Sequence, residues 1–362
     1  MSAIFGSTYH YATEVLSRKM EIASFRGKAY SDLKQYLLPF GCLALGYNSL
    51  QPESATHPHQ PYQDKSGLSV VFDGEISNKK SLKAQFSLSE DVLSNVSIIC
   101  FLYKKFGSRC VEYINGGYAF VIYDAERQLL FGARDRMGLK PLFYHCDSDG
   151  FEFASQLFPL CIGKSYHINP VARQYYFALQ YIPEPISIIS EVSKLRAGQY
   201  FEYSLASGKL ALNTYWDIHD NTCQFEVPKT YGETVEIAEG LIEDSVANLM
   251  DNKSNICTFL SGGIDSSLIT AMAYKQNPDV EAFSMGFSEN KFDESEYSKK
   301  VADILGIKYN HVVCTTDQAL GILENLQLYY DEPMGDASAI PTSLLAQMAK
   351  KTSSVALGGR WW

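Results

Sequence analysis

Phe259-Leu-Ser-Gly-Gly-Ile-Asp-Ser-Ser267 decides the fold of the second half of this chain. A short apolar run, 255–260, leads into it, and a helical pattern, 266–275, leads out. A strand, a glycine-rich turn and a helix in that order bind phosphate outside the carboxyl end of a strand in an open α/β sheet. Gly262 and Gly263 let backbone N–H groups approach a ligand with no Cβ in the way. Ser261, Ser266 and Ser267 add hydroxyl donors, and Asp265 offers a carboxylate to a magnesium ion bridging phosphates. The Gly-Lys-Ser/Thr ending of a Walker loop is missing. A plain Gly-Ser turn capping a helix shares some of these residues. The full stretch in its strand–turn–helix setting points instead to a nucleotide loop.

The surrounding segments extend the pattern. Apolar runs at 281–287, 309–314 and 353–357 alternate with helical patterns at 295–305, 317–330 and 341–351. Runs bounded by helices in this order predict a parallel, doubly wound sheet. An amphipathic helix over 230–251 precedes them, and 213–229, rich in Asp, Asn and Thr, reads as a linker. The chain before it has a different texture. Strand-like runs at 2–5, 42–46, 68–72, 118–123, 129–133, 142–145, 151–154, 199–203 and 210–212 are separated by turn signals such as Asp149-Gly150. Helical periodicity is confined to 91–106 and 170–181. Many strands with few helices predict a largely antiparallel α+β domain.

Composition narrows the class. The 362 residues suit two domains, and 46% hydrophobic with 20% charged residues excludes disorder, collagen-like repeats and a coiled coil. The net charge of −10, with no Lys/Arg cluster, argues against a nucleic-acid partner. No apolar stretch is long enough to span a bilayer and no signal-peptide pattern opens the chain, so a cytoplasmic protein is expected. The eight cysteines are scattered without zinc spacing and read as free thiols.

The loop 259–267 resembles the pyrophosphate loop of the asparagine synthetase family. Phe283-Ser-Met-Gly-Phe287 with Phe292-Asp-Glu294 is similar to that family's second strand and following loop. Asp331-Glu-Pro-Met-Gly-Asp-Ala-Ser-Ala-Ile-Pro-Thr342 resembles its acidic loop and next helix, and Arg134-Asp-Arg-Met-Gly-Leu-Lys-Pro-Leu-Phe-Tyr144 a signature of its glutaminase domain. The resemblance implies an N-terminal-nucleophile hydrolase-like αββα sandwich at 1–212, a type-2 glutamine amidotransferase domain. After the linker 213–229 it implies a partial α/β adenine-nucleotide hydrolase-like parallel sheet at 230–362. It further implies ATP and Mg2+ as cofactors, with an acyl-adenylate of a carboxylate attacked by ammonia. By resemblance, Leu260 and Met285 lie on the adenine side, Ser261, Gly262, Gly263, Asp265, Ser266 and Ser267 face the phosphates, and Gly359 takes the place of a later motif's first glycine.

The chain also departs from the family. The family's nucleophile is an N-terminal cysteine exposed by removal of Met, and here the position holds Ser2, a weaker nucleophile at neutral pH. The family's Asn-Gly-Glu reads Asp73-Gly74-Glu75, which puts a carboxylate where an oxyanion needs a donor. The family's carboxylate for the glutamine amino group reads Asn95, and its substrate arginine has no counterpart in 41–46. Such sites fail as units, so no glutaminase activity is expected. At the other end Arg360 stands where an acidic residue belongs, the chain closes on Trp361-Trp362, and the family's later helices do not follow. The expectation is a C-terminally truncated second domain.

These residues predict an asparagine-synthetase-like ligase that amidates aspartate with ammonia. Asparagine biosynthesis is the process implied. The partners are small molecules, namely aspartate or another carboxylate, ammonia and glutamine, and a homodimer is compatible with them. A β-lactam-synthetase- or lasso-cyclase-like enzyme with an internal amine is one alternative, and an inactive remnant is another.

Overall fold

The computed structural model describes all residues except 1, 40, 51–57, 90, 91, 93, 220–227, 229, 252, 254, 288–292, 294 and 360–362. Phe292, Glu294, Arg360 and the Trp361-Trp362 ending therefore lie outside the described residues. The chain forms two compact units. One is Met1–Gln224 with Leu328–Gly335, and the other is Phe225–Gln327 with Asp336–Trp362.

In the first unit twelve strands follow in order: β1 (Ser2–Ser7), β2 (Tyr30–Leu38), β3 (Gly41–Ser49), β4 (Tyr62–Gln63), β5 (Leu68–Ile76), β6 (Gly116–Asp124), β7 (Leu129–Arg134), β8 (Phe143–Cys146), β9 (Phe151–Ala154), β10 (Ser193–Lys194), β11 (Gln199–Ser204) and β12 (Leu210–Thr214). They make two six-stranded sheets, ordered β10-β8-β9-β1-β3-β2 and β12-β11-β7-β6-β5-β4, with antiparallel pairing throughout.

Side chains alternate between the faces of each strand, which splits the apolar residues into three layers. Ile4, Leu43, Leu45, Val71, Val121, Phe153 and Phe201 fill the space between the sheets. Phe72, Phe120 and Ile122 point the other way, against Val96, Ile99 and Leu102 of helix Asn95–Phe106. Phe5, Ala44 and Phe143 pack on Leu16 and Met20 of helix Thr13–Ala23. Helix, sheet, sheet, helix is the αββα sandwich, and each fully buried large apolar side chain contributes about 1.5–3 kcal/mol.

In the second unit β13 (Ile256–Phe259), β14 (Glu281–Phe287), β15 (Lys308–Cys314) and β16 (Val355–Gly358) form a sheet ordered β15-β14-β13-β16. Every pairing is parallel. Helices Ile264–Gln276 and Ser295–Leu305 cross over between the first three strands. The order then reverses: β14 and β15 extend to one side of β13, and β16 takes the other. That reversal is a topological switch point, where ligands of α/β sheets bind.

Several elements differ from the sequence reading. Helix Thr13–Ala23, strand β2 and helix Lys79–Phe86 lie where the sequence reading expected no element. β2 is an edge strand with no fully buried residue, and helix Thr13–Ala23 buries Lys19 where a pattern expects an apolar residue. The expected helix 317–330 is two, Thr316–Glu324 and Leu326–Tyr329. Residues 213–216, expected in the linker, belong to β12 and its continuation. The Tyr215 hydroxyl sits 2.9 Å from the Tyr118 hydroxyl and donates to Arg134 O at 2.8 Å. Leu328–Gly335 lies inside the second segment in sequence but packs with the first unit. Among the described residues no helix is long and apolar enough to cross a membrane.

Candidate functional site

Leu260 directly follows β13, and its N–H donates to Phe283 O of β14 at 2.8 Å. Its side chain is buried with Val246, Ile256 and Ala282, so it packs in the core. Met285 is half-buried against Phe283 and Leu345. The chain then turns sharply. Gly262 has φ +86, and a Cβ there would lie 2.6 Å from Ser298 N and 2.7 Å from Tyr297 Cβ. Only glycine fits this turn, for both conformation and space. Ser266 Oγ closes the loop: it accepts from Ser261 N at 3.2 Å, lies 2.9 Å from Ser261 Oγ and donates to Gly263 O at 3.2 Å.

Gly263 is the N-cap of helix Ile264–Gln276, with Asp265 exposed in its first turn. The helix start therefore presents N–H groups and the positive end of its dipole beside hydroxyls. Ser267 Oγ is buried with no hydrogen-bond partner among the described residues. Gly359, just past β16, abuts the same turn: a Cβ there would lie 2.7 Å from Ser266 N and 2.8 Å from Asp265 C. The ends of β13 and β16 thus meet at the switch point. Gly359 joins Ser261, Gly262, Gly263, Asp265, Ser266 and Ser267 there, while Leu260 and Met285 pack into the sheet's apolar surroundings.

A second cluster lies in the first unit. Ser2 starts β1, and its N–H donates to Asp73 Oδ1 of β5 at 3.1 Å. Its hydroxyl is 3.0 Å from the Tyr47 hydroxyl, and burial pushes the Tyr47 phenol up. Asp73 is fully buried. Arg26 Nη2 donates to its Oδ2 at 3.1 Å while Nη1 donates to Ser155 O at 3.3 Å. Lys140 Nζ stands 3.9 Å from Oδ1. The nucleophile position thus faces a hydroxyl and an ion pair.

Asn95 is committed elsewhere: its Oδ1 accepts from Ile76 N at 3.2 Å and its Nδ2 donates to Gly74 O at 3.4 Å. Glu75 pairs with Lys79 at 2.5 Å. The structure therefore gathers Ser2 and Asp73, places Gly74 and Asn95 as backbone supports beside them, and sends Glu75 to a helix. Arg26 and Tyr47 escaped the sequence reading because neither lies in a recognisable motif.

The segment 134–144 explains how Lys140 arrives. Arg134 donates to Lys140 O and Gly138 O, each at 2.7 Å, and to Leu195 O and Glu184 Oε2, each at 2.6 Å. Asp135 accepts from Met137 N, Leu139 N and Lys140 N at 3.0–3.1 Å. The motif's two leading charges staple a loop. In Leu328–Gly335, Glu332 accepts from Ile188 N at 2.7 Å and pairs with Lys194, and burial pushes the Asp331 carboxyl up to about 6.

The family description "Glutamine amidotransferase domain" matches residues 1–216, and "Asparagine synthase" matches 238–360. The chain belongs to the asparagine synthetase family. It is 33% identical over 302 residues to the putative asparagine synthetase [glutamine-hydrolyzing] 2 of Methanocaldococcus jannaschii, covering 82% of this chain and 58% of that protein. It is 30% identical over 325 residues to asparagine synthetase [glutamine-hydrolyzing] 1 of Bacillus subtilis, covering 88% and 50%. This asparagine synthetase relative thus spans about half the length of the curated proteins it matches. Among solved structures, a glutamine phosphoribosylpyrophosphate amidotransferase from B. subtilis superposes with a TM-score of 0.42 at 12% identity, covering 99% of this chain and 81% of that one.

Proposed function

We propose that the chain is an ATP-dependent, asparagine-synthetase-like ligase that activates the carboxylate of aspartate as an acyl-adenylate and joins it to free ammonia. The observation that carries the ligase reading is the seating of Gly359 against Asp265 and Ser266 at the sheet's switch point. The residues suit a nucleotide polyphosphate. Gly262 and Gly359 keep Cβ atoms away, and Ser261, Ser266 and Ser267 carry hydroxyls at a helix start, with Ser267 Oγ still lacking a partner. Ser261 and Ser266 satisfy each other and can turn outward to phosphate.

Among the described residues no group of three or more His, Cys, Asp or Glu could hold a metal. Asp265, exposed in the first turn of the helix, is the residue that would hold magnesium, and the ion would supply charge neutralisation to the phosphates. The chain's own loop would orient the phosphates.

Ammonia-dependence is supported by the first unit. A buried carboxylate paired to Arg26 stands where the resemblance calls for an oxyanion donor, and Ser2 supplies a hydroxyl, a weaker nucleophile than a thiol. The test is ATP–pyrophosphate exchange with aspartate, followed by asparagine formation with ammonium or glutamine as nitrogen donor. Exchange that depends on aspartate and is lost in Asp265→Asn supports the ligase. A folded protein without exchange removes it, and asparagine formed from glutamine removes ammonia-dependence.

A further inference from the structure

The turn at Gly262 is seated on a second helix. A Cβ at Gly262 would lie 2.6 Å from Ser298 N, 2.7 Å from Tyr297 Cβ and 2.8 Å from Tyr297 C. Both residues belong to the start of helix Ser295–Leu305, which follows β14. A buried hydroxyl fixes that start. Ser298 is fully buried. Its Oγ donates to Ser295 O at 3.0 Å and lies 2.8 Å from both Ser284 Oγ of β14 and Tyr309 Oη of β15. A serine hydroxyl has one hydrogen to give and two lone pairs to receive with. Donation to Ser295 O with acceptance from Ser284 and Tyr309 uses all three, so one atom joins the helix to two strands. The Tyr309 ring stacks on His311 of the same strand, with centroids 6.1 Å apart. Just before the helix, Asp293 Oδ1 accepts from Ser295 N at 3.1 Å and its Oδ2 from Ser295 Oγ at 2.9 Å. Those bonds hold the Asp293 carboxyl below the usual carboxylate range, as suits an ionised anchor.

A small serine that merely packs a helix on a sheet is the plainer reading, and its neighbours decide against it. One turn further along the helix the buried face is closed by Ala302, and on β14 the same face carries Ala282 before Ser284. Ala282 and Ala302 lie in one apolar cluster. Packing of this helix therefore asks for small side chains but not for hydroxyls. The hydroxyls stand at the turn that meets Gly262, where the helix cannot shift without moving the loop.

We propose that Ser298 is a positioning residue for the loop 261–263. Its hydroxyl fixes the first turn of helix Ser295–Leu305 on β14 and β15, and the backbone of that turn holds Gly262 at φ +86, the conformation in which the loop receives a nucleotide. The loop's part in binding nucleotide rests on the function proposed above. Its seating on Ser298 stands apart from that function.

The test compares the full chain with Ser298→Ala and with Tyr309→Phe, which removes a different hydroxyl from the same cluster and serves if the first variant does not fold. Amide hydrogen exchange over 259–267 is read by mass spectrometry, and ATP binding by calorimetry. Exchange in 259–267 is expected to quicken, and ATP affinity to fall, each by about three- to tenfold, with exchange in the first unit unchanged. In ATP–pyrophosphate exchange the loss should lie in KM for ATP, with kcat and KM for aspartate held, a split that a general loss of fold does not produce. Unchanged exchange over 259–267 in a folded variant overturns the proposal, as does a loosened loop with ATP affinity intact. If the unaltered chain binds no ATP, the proposed function fails, and amide exchange alone decides whether Ser298 seats the loop.

Discussion

Arg26 Nη2 donates to Asp73 Oδ2 at 3.1 Å, and the carboxylate it meets is fully buried. The family resemblance would put this carboxylate where a glutamine-hydrolysing relative needs a neutral donor to an oxyanion. The ion pair joins β5 to the turn that follows helix Thr13–Ala23.

Removing one partner leaves the other charge buried and alone, which costs ~3–5 kcal/mol in a typical interior. Arg26 retains some exposure and Lys140 stands nearby. Arg26→Met is therefore expected to destabilise the first unit by about 2–4 kcal/mol in urea unfolding followed by circular dichroism. Arg26→Met/Asp73→Asn should recover a large part of that loss. Equal losses in the single and double variants would show that the pair is not the cause.

Restoring the thiol alone is expected not to confer glutamine hydrolysis. In Ser2→Cys the nucleophile improves, but Asp73 still faces any developing oxyanion. Glutamate release from glutamine should stay at the level of the Ser2→Ala protein. Measurable release in Ser2→Cys alone would show that Asp73 does not block the site.

Gly262→Ala introduces a Cβ 2.6 Å from Ser298 N at φ +86. The strain is on the order of 1–3 kcal/mol, and relief moves the loop that precedes helix Ile264–Gln276. The expected outcome is a fall in ATP affinity of about tenfold or more, equivalent to ~1.4 kcal/mol, read by calorimetry. Unchanged affinity would remove the loop from the nucleotide site.

Asp147 carries a pH dependence. Burial alone raises its carboxyl, but donation from the Tyr9 hydroxyl at 2.6 Å, Asp149 N at 2.8 Å and His145, together with nearby Lys164, outweighs that and holds it well below the usual carboxylate range. The folded carboxyl thus binds its proton less readily than the unfolded one. Its stabilisation is complete above the ordinary value of ~3.9 and is lost as pH falls below it. Asp147→Asn should therefore destabilise the protein at neutral pH, with a gap in Tm that narrows as pH drops through 4 to 3. A gap that is constant with pH would rule this out.

The antiparallel strand texture was legible from runs such as 118–123, 129–133 and 151–154, because apolar strands buried on both faces read clearly without context, whereas the αββα sandwich followed only from the family resemblance. The phosphate loop was legible because its turn requires glycine and its helix starts within the same stretch. Helix Thr13–Ala23 was not, since Lys19 breaks its apolar stripe and is accepted only because Glu152, far along the chain, comes to meet it. Arg26 was missed for the same reason: its partner Asp73 lies 47 residues away.

The sequence by itself determined the strand texture of the first unit, the strand–helix alternation of the second and the identity of the residues at positions 2, 73, 95 and 261–267. Those features rest on backbone geometry and periodicity, which act over a few residues. Only the tertiary structure decided that Asp73 is neutralised by Arg26, that Asn95 supports backbone, that Gly359 closes on Ser266 and that a lysine can sit in the core. Each of these depends on which distant charge or backbone atom arrives within a few ångströms, because the cost of burying a polar group is set by its spatial neighbours and not by its place in the chain.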